Sequence, residues 1–103
     1  MSGSATYYDY GTVTRSGDPF DLDSLTCAVD DARWEELRGK TLVVLTESGH
    51  MTYLKVNDTG YLQKSTAEWV QPVVVDLPKG TFLRVFESLG TQHVWVWLAE
   101  NRQ

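Results

Sequence analysis

The fold of this chain is constrained above all by its short runs of apolar residues. Some runs are continuous, others alternate with polar residues, and tight turns separate them. Residues Thr41–Thr46 and residues 51–56 are predicted to be strands, and residues 47–50 join them as a hairpin loop. Gln92–Leu98 alternates in the same way, with valine and leucine on one face and histidine and tryptophan on the other. Strands of this length, joined by local turns, indicate a mainly β structure.

Three more strands are predicted from short apolar runs, at residues 5–10, 25–29 and 72–75. The last run is continuously apolar, which is typical of a buried barrel strand, and we expect it to stop at Asp76. Residues 11–19 and residues 57–60 are expected to be loops because they contain residues that favour turns. A chain of 103 residues fits one domain, residues 1–103, with one hydrophobic core.

One or two short helices complete the pattern. Asp30 or Asp31 can cap a short helix that runs through Leu37. Residues 81–89 alternate like a strand at some positions, but their apolar residues also fall at helical spacing, and we favour a helix with Gly90 as its C-cap. The whole pattern predicts a small closed barrel.

The composition excludes several classes of partner. The formal net charge is −5, whereas proteins that bind nucleic acids or anionic membranes present basic surfaces. No apolar run approaches the roughly 18 residues that a membrane-spanning helix needs. We therefore expect neither nucleic acid nor membrane as a partner. Residues 1–5 lack the regions of a secretory signal, so we expect a signal removed earlier or another route to the target.

Neither a metal nor a cofactor is expected. Cys27 lies in a mostly apolar run, which favours a packed thiol over a nucleophile, and one cysteine cannot form an internal disulfide. His50 lies on a loop tip and His93 on a strand, without metal-like spacing to each other or to the cysteine. The sequence has no phosphate loop, dinucleotide-binding motif or catalytic-triad motif.

Several segments resemble expansins and rare lipoprotein A. The Val-Asn-Asp-Thr-Gly at residues 56–60 is similar to the Val-Asn-Asp-Arg-Gly-Pro signature of those proteins. The other matching segments are Ala-Thr-Tyr-Tyr at 5–8, Leu-Thr-Cys-Ala-Val at 25–29, Gly-Lys-Thr-Leu-Val-Val at 39–44, Val-Asp-Leu at 75–77, Phe-Glu-Ser-Leu-Gly at 86–90 and Val-Trp-Val-Trp at 94–97. Their order over nearly the whole chain makes the resemblance specific.

The resemblance implies a six-stranded double-psi β-barrel with an open groove across one face. Expansins loosen cell walls without hydrolysis, rare lipoprotein A is a lytic transglycosylase on peptidoglycan, and some fungal endoglucanases share the barrel. In these proteins an aspartate at the Asp58 position lies at the groove floor, and a second aspartate, here Asp76, lies nearby. Val29 occupies the position where rare lipoprotein A has a histidine. This difference weakens the resemblance to a transglycosylase and favours the expansin pattern. Thr59 and Tyr61 replace the arginine and the proline of the signature.

Two aspartates are the candidate catalytic residues. Cleavage of a glycosidic bond needs a proton donor for the leaving oxygen, and Asp58 is the candidate acid. An inverting hydrolase needs a second carboxylate, for which Asp76 is the candidate, whereas a lytic transglycosylase needs one residue that serves as acid and base. Without the resemblance, Asp58 is interpreted as a loop carboxylate that binds neighbouring N–H groups, and Asp76 as a strand end or helix cap.

Four residues are candidates for sugar binding: Thr6, Tyr8, Tyr61 and Trp69. Thr6 matches a groove threonine of expansins, although a hydroxyl on a strand surface explains it equally. The three aromatic rings can stack on the apolar faces of sugars. Ordinary packing in the core or in an interface is the alternative for each ring.

The favoured function is a module that engages cell-wall glycan, either like a lytic transglycosylase or like a non-hydrolytic expansin. The alternative is a structural or adhesive barrel in a larger assembly such as a bacteriophage tail or virion, whose proteins need no secretory signal. Trp95 and Trp97 share a strand face that would offer such an assembly an apolar contact surface. A disulfide-rich plant defence barrel is disfavoured by the single cysteine.

Overall fold

The computed structural model describes residues 2–9, 11–60, 73–87, 90 and 92–99, which form a mainly β structure. Its strands are β1 (Ser2–Tyr8), β2 (Thr26–Asp30), β3 (Thr41–Thr46), β4 (Met51–Gly60), β5 (Val73–Pro78) and β6 (Gln92–Leu98). A 3₁₀ turn (Asp31–Arg33) leads into α1 (Trp34–Leu37), and α2 (Lys79–Phe86) follows β5. The predicted set of six strands with two short helices is confirmed. The assignment of residues 1–103 to one domain stays a prediction.

The strands close into a barrel in the order β1-β5-β2-β4-β3-β6. The pairs β1–β5 and β2–β4 are parallel, and the other neighbours are antiparallel. Among the described residues, β2 and β5 pair only at Ala28 and Asp76. Exchanging β1, β2 and β3 for β4, β5 and β6 reproduces the same neighbours, so the barrel consists of two topologically equivalent halves.

Alternate side chains of the strands point inward and form the core. Leu54 and Val56 of β4, and Val94 and Val96 of β6, are buried as their alternation predicted. Cys27 is fully buried in the same cluster, so the prediction of a packed thiol is confirmed. Removal of this apolar surface from water is the main favourable term in folding.

Two predicted strand ends are wrong, in both cases because parallel pairing extends the strand. Residues 57–60 are not a loop, since β4 continues to Gly60, which pairs with Asp30 of β2. β5 does not stop at Asp76 but runs to Pro78, which pairs with Tyr8 of β1. Hydrogen bonds to a neighbouring strand thus override the local preference of these residues for turns.

Both predicted helices are present, but α2 ends earlier than predicted. Asp30 caps the 3₁₀ turn as predicted. α2 ends at Phe86 and its C-cap is Glu87, not Gly90, because Glu87 adopts a left-handed conformation (φ 62°) and its N–H donates to the Leu83 carbonyl at 2.8 Å. Neither described helix is long and apolar enough to cross a membrane. β1 also differs from its prediction, since it begins at Ser2, where it pairs with β6.

Residues 11–24 form a long loop that contacts β4. The Thr14 N–H donates to the Asp18 carbonyl at 2.9 Å, and Gly17 supplies the positive φ of 94° that this tight turn requires. The Ser16 N–H donates to the Asn57 carbonyl of β4 at 3.1 Å. These contacts carry the loop backbone to the barrel surface beside Asp58.

The other end of this loop is held by the first turn of α2. The Thr81 N–H donates to the Leu22 carbonyl at 3.1 Å, and the Thr81 hydroxyl donates to the Ser24 carbonyl. A Cβ atom on Gly80 would lie 2.8 Å from the Leu22 carbonyl oxygen and 2.0 Å from Asp23 Oδ1. The loop and the helix therefore approach each other at a distance that only glycine permits.

Gly80→Ala is expected to destabilise the protein, although alanine is the better helix former. The clash with the Leu22 backbone should cost about 1–3 kcal/mol, against a gain of up to about 1 kcal/mol in helix propensity. Urea denaturation monitored by circular dichroism measures the difference. Leu83→Ala, at an exposed position of the same helix, is the control and should change stability little. An equal or greater stability of Gly80→Ala would contradict the close approach.

Candidate functional site

Four neighbouring strands place one residue each in a continuous row, which we name the Asp58–Asp76 row. Thr6 of β1 pairs with Asp76 of β5, Asp76 pairs with Ala28 of β2, and Ala28 pairs with Asp58 of β4. Directly paired residues point to the same face of a sheet, and the core residues that flank them point to the other face. The row therefore faces away from the core. Two strand spacings separate the Cα atoms of the aspartates by about 9–10 Å.

A β-bulge in β4 decides which way Asp58 points. Val56 pairs with Cys27, but the next residue of β2, Ala28, pairs with Asp58, so Asn57 is an extra residue in β4. In an unbroken strand Asp58 would share the core face with Val56. The bulge turns its carboxylate out of the core and into the row.

Asp76 is only partly exposed, and its surroundings disfavour its charged form. Burial raises the pKa of the Asp76 carboxyl to about 6, the hydrogen bond from Thr6 opposes this rise, and the charge of Asp58 adds to it. The Thr6 hydroxyl donates to Asp76 Oδ1 at 2.9 Å. A carboxyl whose pKa lies near neutrality can both hold and release a proton, as a general acid must.

Asp58 accepts hydrogen bonds from described donors on three segments. The Arg15 N–H of the long loop donates to Oδ1 at 3.1 Å, and the Thr59 N–H of β4 donates to the same oxygen at 2.9 Å. The Tyr8 hydroxyl of β1 donates to Oδ2 at 3.3 Å. These donors hold the Asp58 carboxylate in position. Its interaction with Asp76 is electrostatic, since the charge of Asp58 raises the pKa of Asp76.

Tyr8 contributes its hydroxyl to the row. Its side chain is 8% exposed, and its ring stacks on Phe20 with centroids 4.9 Å apart and an angle of 28° between the planes. Burial, together with the charges of Asp58 and Asp76, raises the pKa of the Tyr8 phenol well above its usual range. The hydroxyl therefore stays protonated and remains a donor to Asp58.

Arg15 is a site residue that the sequence did not single out. Its guanidinium forms an ion pair with Asp31 and donates to the Thr59 hydroxyl at 3.4 Å. The same group lies over the Trp34 ring, 5.1 Å from the centroid. Arg15 thus links the long loop, the 3₁₀ turn and the end of β4. No motif relates it to Asp58, since tertiary folding alone brings these positions together.

The remaining predicted residues lie elsewhere. Tyr61 and Trp69 fall outside the described residues. Trp95 and Trp97 lie on the outer face of β6, which is not part of the row. Cys27 adjoins the row from the core side, and burial raises the pKa of its thiol to about 12. Within the described part of the chain, no three His, Cys, Asp or Glu side chains are placed to hold a metal ion.

The barrel is similar to solved structures of bacterial proteins. The apo form of an expansin from Clavibacter michiganensis has a TM-score of 0.69 at 18% identity, covering 99% of this chain and 51% of the expansin. A mutant of that expansin in complex with cellohexaose has a TM-score of 0.61 at 16% identity, covering 100% and 52% of the two chains. A papain inhibitor from Streptomyces has a TM-score of 0.64 at 20% identity, covering 93% and 92%.

These similarities confirm the predicted expansin-like double-psi β-barrel fold. This chain spans about half the length of the expansin. No protein-family model matches the sequence, and no curated protein matches it. Identities of 16–20% establish the shared fold alone, so the function has to be argued from the site.

Asp76→Asn is expected to remove the loss of stability that the wild type undergoes as the pH rises toward neutrality. Between pH 3.8 and about 6 the folded protein binds the Asp76 proton more tightly than the unfolded chain does. The contribution of Asp76 to the free energy of unfolding is therefore largest in acid and falls by about 2–3 kcal/mol as the pH rises through this range. Urea unfolding at several pH values should show the variant gaining stability relative to wild type toward neutral pH. A pH-independent difference would contradict the assignment.

Thr6→Val is expected to raise the pKa of Asp76 above its wild-type value of about 6, because the hydrogen bond that favours the ionised carboxylate is lost. Carboxyl carbon shifts measured by NMR during a pH titration report this pKa directly. Thr6→Ser keeps the hydroxyl and is the matched control, with a pKa close to wild type. An unchanged pKa in Thr6→Val would mean that the bond does not act on the carboxylate in solution.

Proposed function

We propose that the protein engages a wall polysaccharide along the Asp58–Asp76 row. The observation that carries this proposal is the pair of partly exposed carboxylates, set in different environments and aligned with Thr6 on one outer surface. Carboxylates and hydroxyls supply the acceptors and donors that sugar hydroxyls need. The complex of the similar expansin with cellohexaose supports carbohydrate as the ligand class.

In this proposal Asp76 is the acid, and not Asp58 as the sequence suggested. Asp76 has the raised pKa that proton donation near neutral pH requires. Asp58 is already engaged as an acceptor by the Tyr8, Arg15 and Thr59 donors, and its role is to orient the glycan and to hold charge beside Asp76. This division follows the general rule that two carboxylates in one site take different roles when their environments differ.

The chemistry that fits a single proton-exchanging carboxylate is lytic cleavage. Asp76 donates its proton to the glycosidic oxygen as the bond from that oxygen to the anomeric carbon breaks. A hydroxyl of the same sugar then attacks the anomeric carbon and returns its proton to the Asp76 carboxylate, which leaves an anhydro sugar. Inverting hydrolysis would instead require Asp58 to activate a water molecule. The donors that surround Asp58 oppose that role.

Peptidoglycan is the first polymer to test, because lytic cleavage and the resemblance to rare lipoprotein A both lead to it. A place in a virion or phage tail would deliver the same barrel to the wall. Inhibition of a papain-like protease is the second candidate function. It is favoured by the match to the Streptomyces papain inhibitor over 92% of that protein's length.

Asp76→Asn is expected to abolish release of anhydro-muropeptides from purified peptidoglycan while binding to the insoluble polymer is largely kept. Asp58→Asn should weaken binding about ten- to a hundredfold, the loss expected for one charged hydrogen-bonding group. Mass spectrometry of the soluble fraction and depletion assays measure the two effects. Glu47→Gln makes the same charge change on the exposed hairpin and is the control.

Three results would overturn the proposal or narrow it. The wild type could bind the polymer, with binding weakened by Asp58→Asn, and release no product. That result would narrow the proposal to an expansin-like binder that does not cleave the polymer. Wild-type affinity and product release in both aspartate variants would exclude the row as the site. Papain inhibition by the same preparation, without binding to peptidoglycan or cellulose, would establish the second candidate instead.

A further inference from the structure

Three neighbouring strands present a continuous set of apolar side chains on the outside of the barrel, which we name the outer aromatic face. In one row Trp95 of β6 pairs with Leu45 of β3, which pairs with Met51 of β4. In the next row Trp97, Val43 and Tyr53 pair in the same order. The outer aromatic face consists of these six side chains, of which Val43 is buried and the others are partly exposed: Trp95, Trp97, Leu45, Val43, Met51 and Tyr53.

The exposed area of this face falls in the range of surface patches that often bind a ligand. Trp95 and Trp97 are 41% and 42% exposed, Met51 is 48% exposed and Tyr53 is 57% exposed. At roughly 200–250 Å² for a full side chain of this size, these four expose about 400 Å² together. A contiguous apolar patch of that area on a monomer is often functional. A groove of about 560 Å³ beside the two tryptophans is lined by Ser2, Leu45 and Val96 as well.

The charge argues against a second copy of this chain as the occupant. Each copy carries a net charge of −5, so two copies repel each other, while the six side chains of the face bring no charge to offset the repulsion. A neutral ligand does not meet this repulsion.

The placement of Trp97 and Tyr53 suits a sugar chain. They lie two strand spacings apart in one row, about 9–10 Å between Cα atoms, so a straight chain of sugars that crosses β6, β3 and β4 would pass over both residues. Trp95 lies two residues from Trp97 along β6, about 7 Å away and to one side of this line. Aromatic rings present flat apolar surfaces with polar edges, and the rings of such sugars have flat apolar faces that match them.

Polar groups stand where sugar hydroxyls would need them. Ser2 of β1 pairs with Trp95, and the His93 ring packs edge-on against the Trp95 ring with centroids 4.7 Å apart. At the other end Lys55 follows Tyr53 on the same face of β4 and is exposed. The aromatic centre is thus flanked by hydroxyl, imidazole and ammonium groups that exchange hydrogen bonds with hydroxyls.

We propose that the outer aromatic face binds a neutral β-linked polysaccharide by stacking sugar rings on Trp97 and Tyr53. The face spans β6, β3 and β4, whereas the Asp58–Asp76 row spans β1, β5, β2 and β4. The barrel would therefore hold a polymer on one wall while the row acts on another. The proposal concerns a different surface from the row and does not depend on the chemistry proposed there.

Trp97→Ala and Tyr53→Ala are each expected to weaken binding to insoluble cellulose and to cellohexaose about five- to tenfold, the loss expected for one aromatic contact. Trp97→Phe and Tyr53→Phe keep a ring and should retain most of the affinity. Leu83→Ala is the control, since it removes a partly exposed apolar side chain on α2, outside the face and outside the row. Depletion isotherms measure the affinity for cellulose, and tryptophan fluorescence measures the affinity for cellohexaose. Circular dichroism confirms that each full-length variant is folded.

Each outcome decides the proposal. Loss in Trp97→Ala and Tyr53→Ala with retention in the phenylalanine variants and in Leu83→Ala supports it. Equal loss in Leu83→Ala would overturn it, because the loss would then not depend on stacking at this face. Concentration-dependent dimers in sedimentation velocity that Trp97→Ala abolishes would overturn it in favour of a protein interface. Wild-type affinity in both alanine variants, or no measurable binding of wild type to either probe, would also overturn it. Asp58→Asn and Asp76→Asn report on the row, so failure there leaves the result for this face intact.

Discussion

The architecture depends on the place where β2 pairs with β5, at Ala28 and Asp76. Each of these strands is also the parallel partner of another strand, so this pairing joins the two parallel pairs, and β3 and β6 complete the closed ring. Ala28 is almost fully buried at this pairing, where a small side chain lets the strands approach. Because the same pairing fixes Asp76, its carboxyl is partly removed from water, and this burial raises its pKa.

Equivalent positions in the two halves of the barrel carry different side chains, and this difference makes the site asymmetric. Under exchange of the halves, Thr6 on β1 corresponds to Asp58 on β4, and Ala28 on β2 corresponds to Asp76 on β5. The same backbone arrangement thus carries a hydroxyl and an aspartate at one pair of positions, and a methyl group and an aspartate at the other. One half supplies the groups that support the carboxylates of the other, so the two aspartates experience different surroundings.

The outside of the barrel has a polar surface on one set of strands and an apolar surface on another. Strands β1, β5, β2 and β4 carry the polar row, which Tyr8, Phe20 and the long loop border. Strands β6, β3 and β4 carry exposed rings and aliphatic side chains. A closed barrel has no free strand edges, so its outer faces are the surfaces on which ligands can be recognised. β4 contributes to both surfaces, with Tyr53 near its start and Asp58 near its end.

Local pattern determined much of the fold. The apolar run in Thr41–Thr46 and the alternation in Gln92–Leu98 match the bounds of the observed strands to the residue, because both patterns are set within one strand alone. The burial of Cys27 followed in the same way from its apolar neighbours. The ends of β4 and β5, the bulge at Asn57 and the approach of Arg15 to Asp58 were decided only by the tertiary structure. Each depends on hydrogen bonds or contacts between residues far apart in the chain, which no local pattern encodes, whereas the inward alternation of a strand needs no partner to be specified.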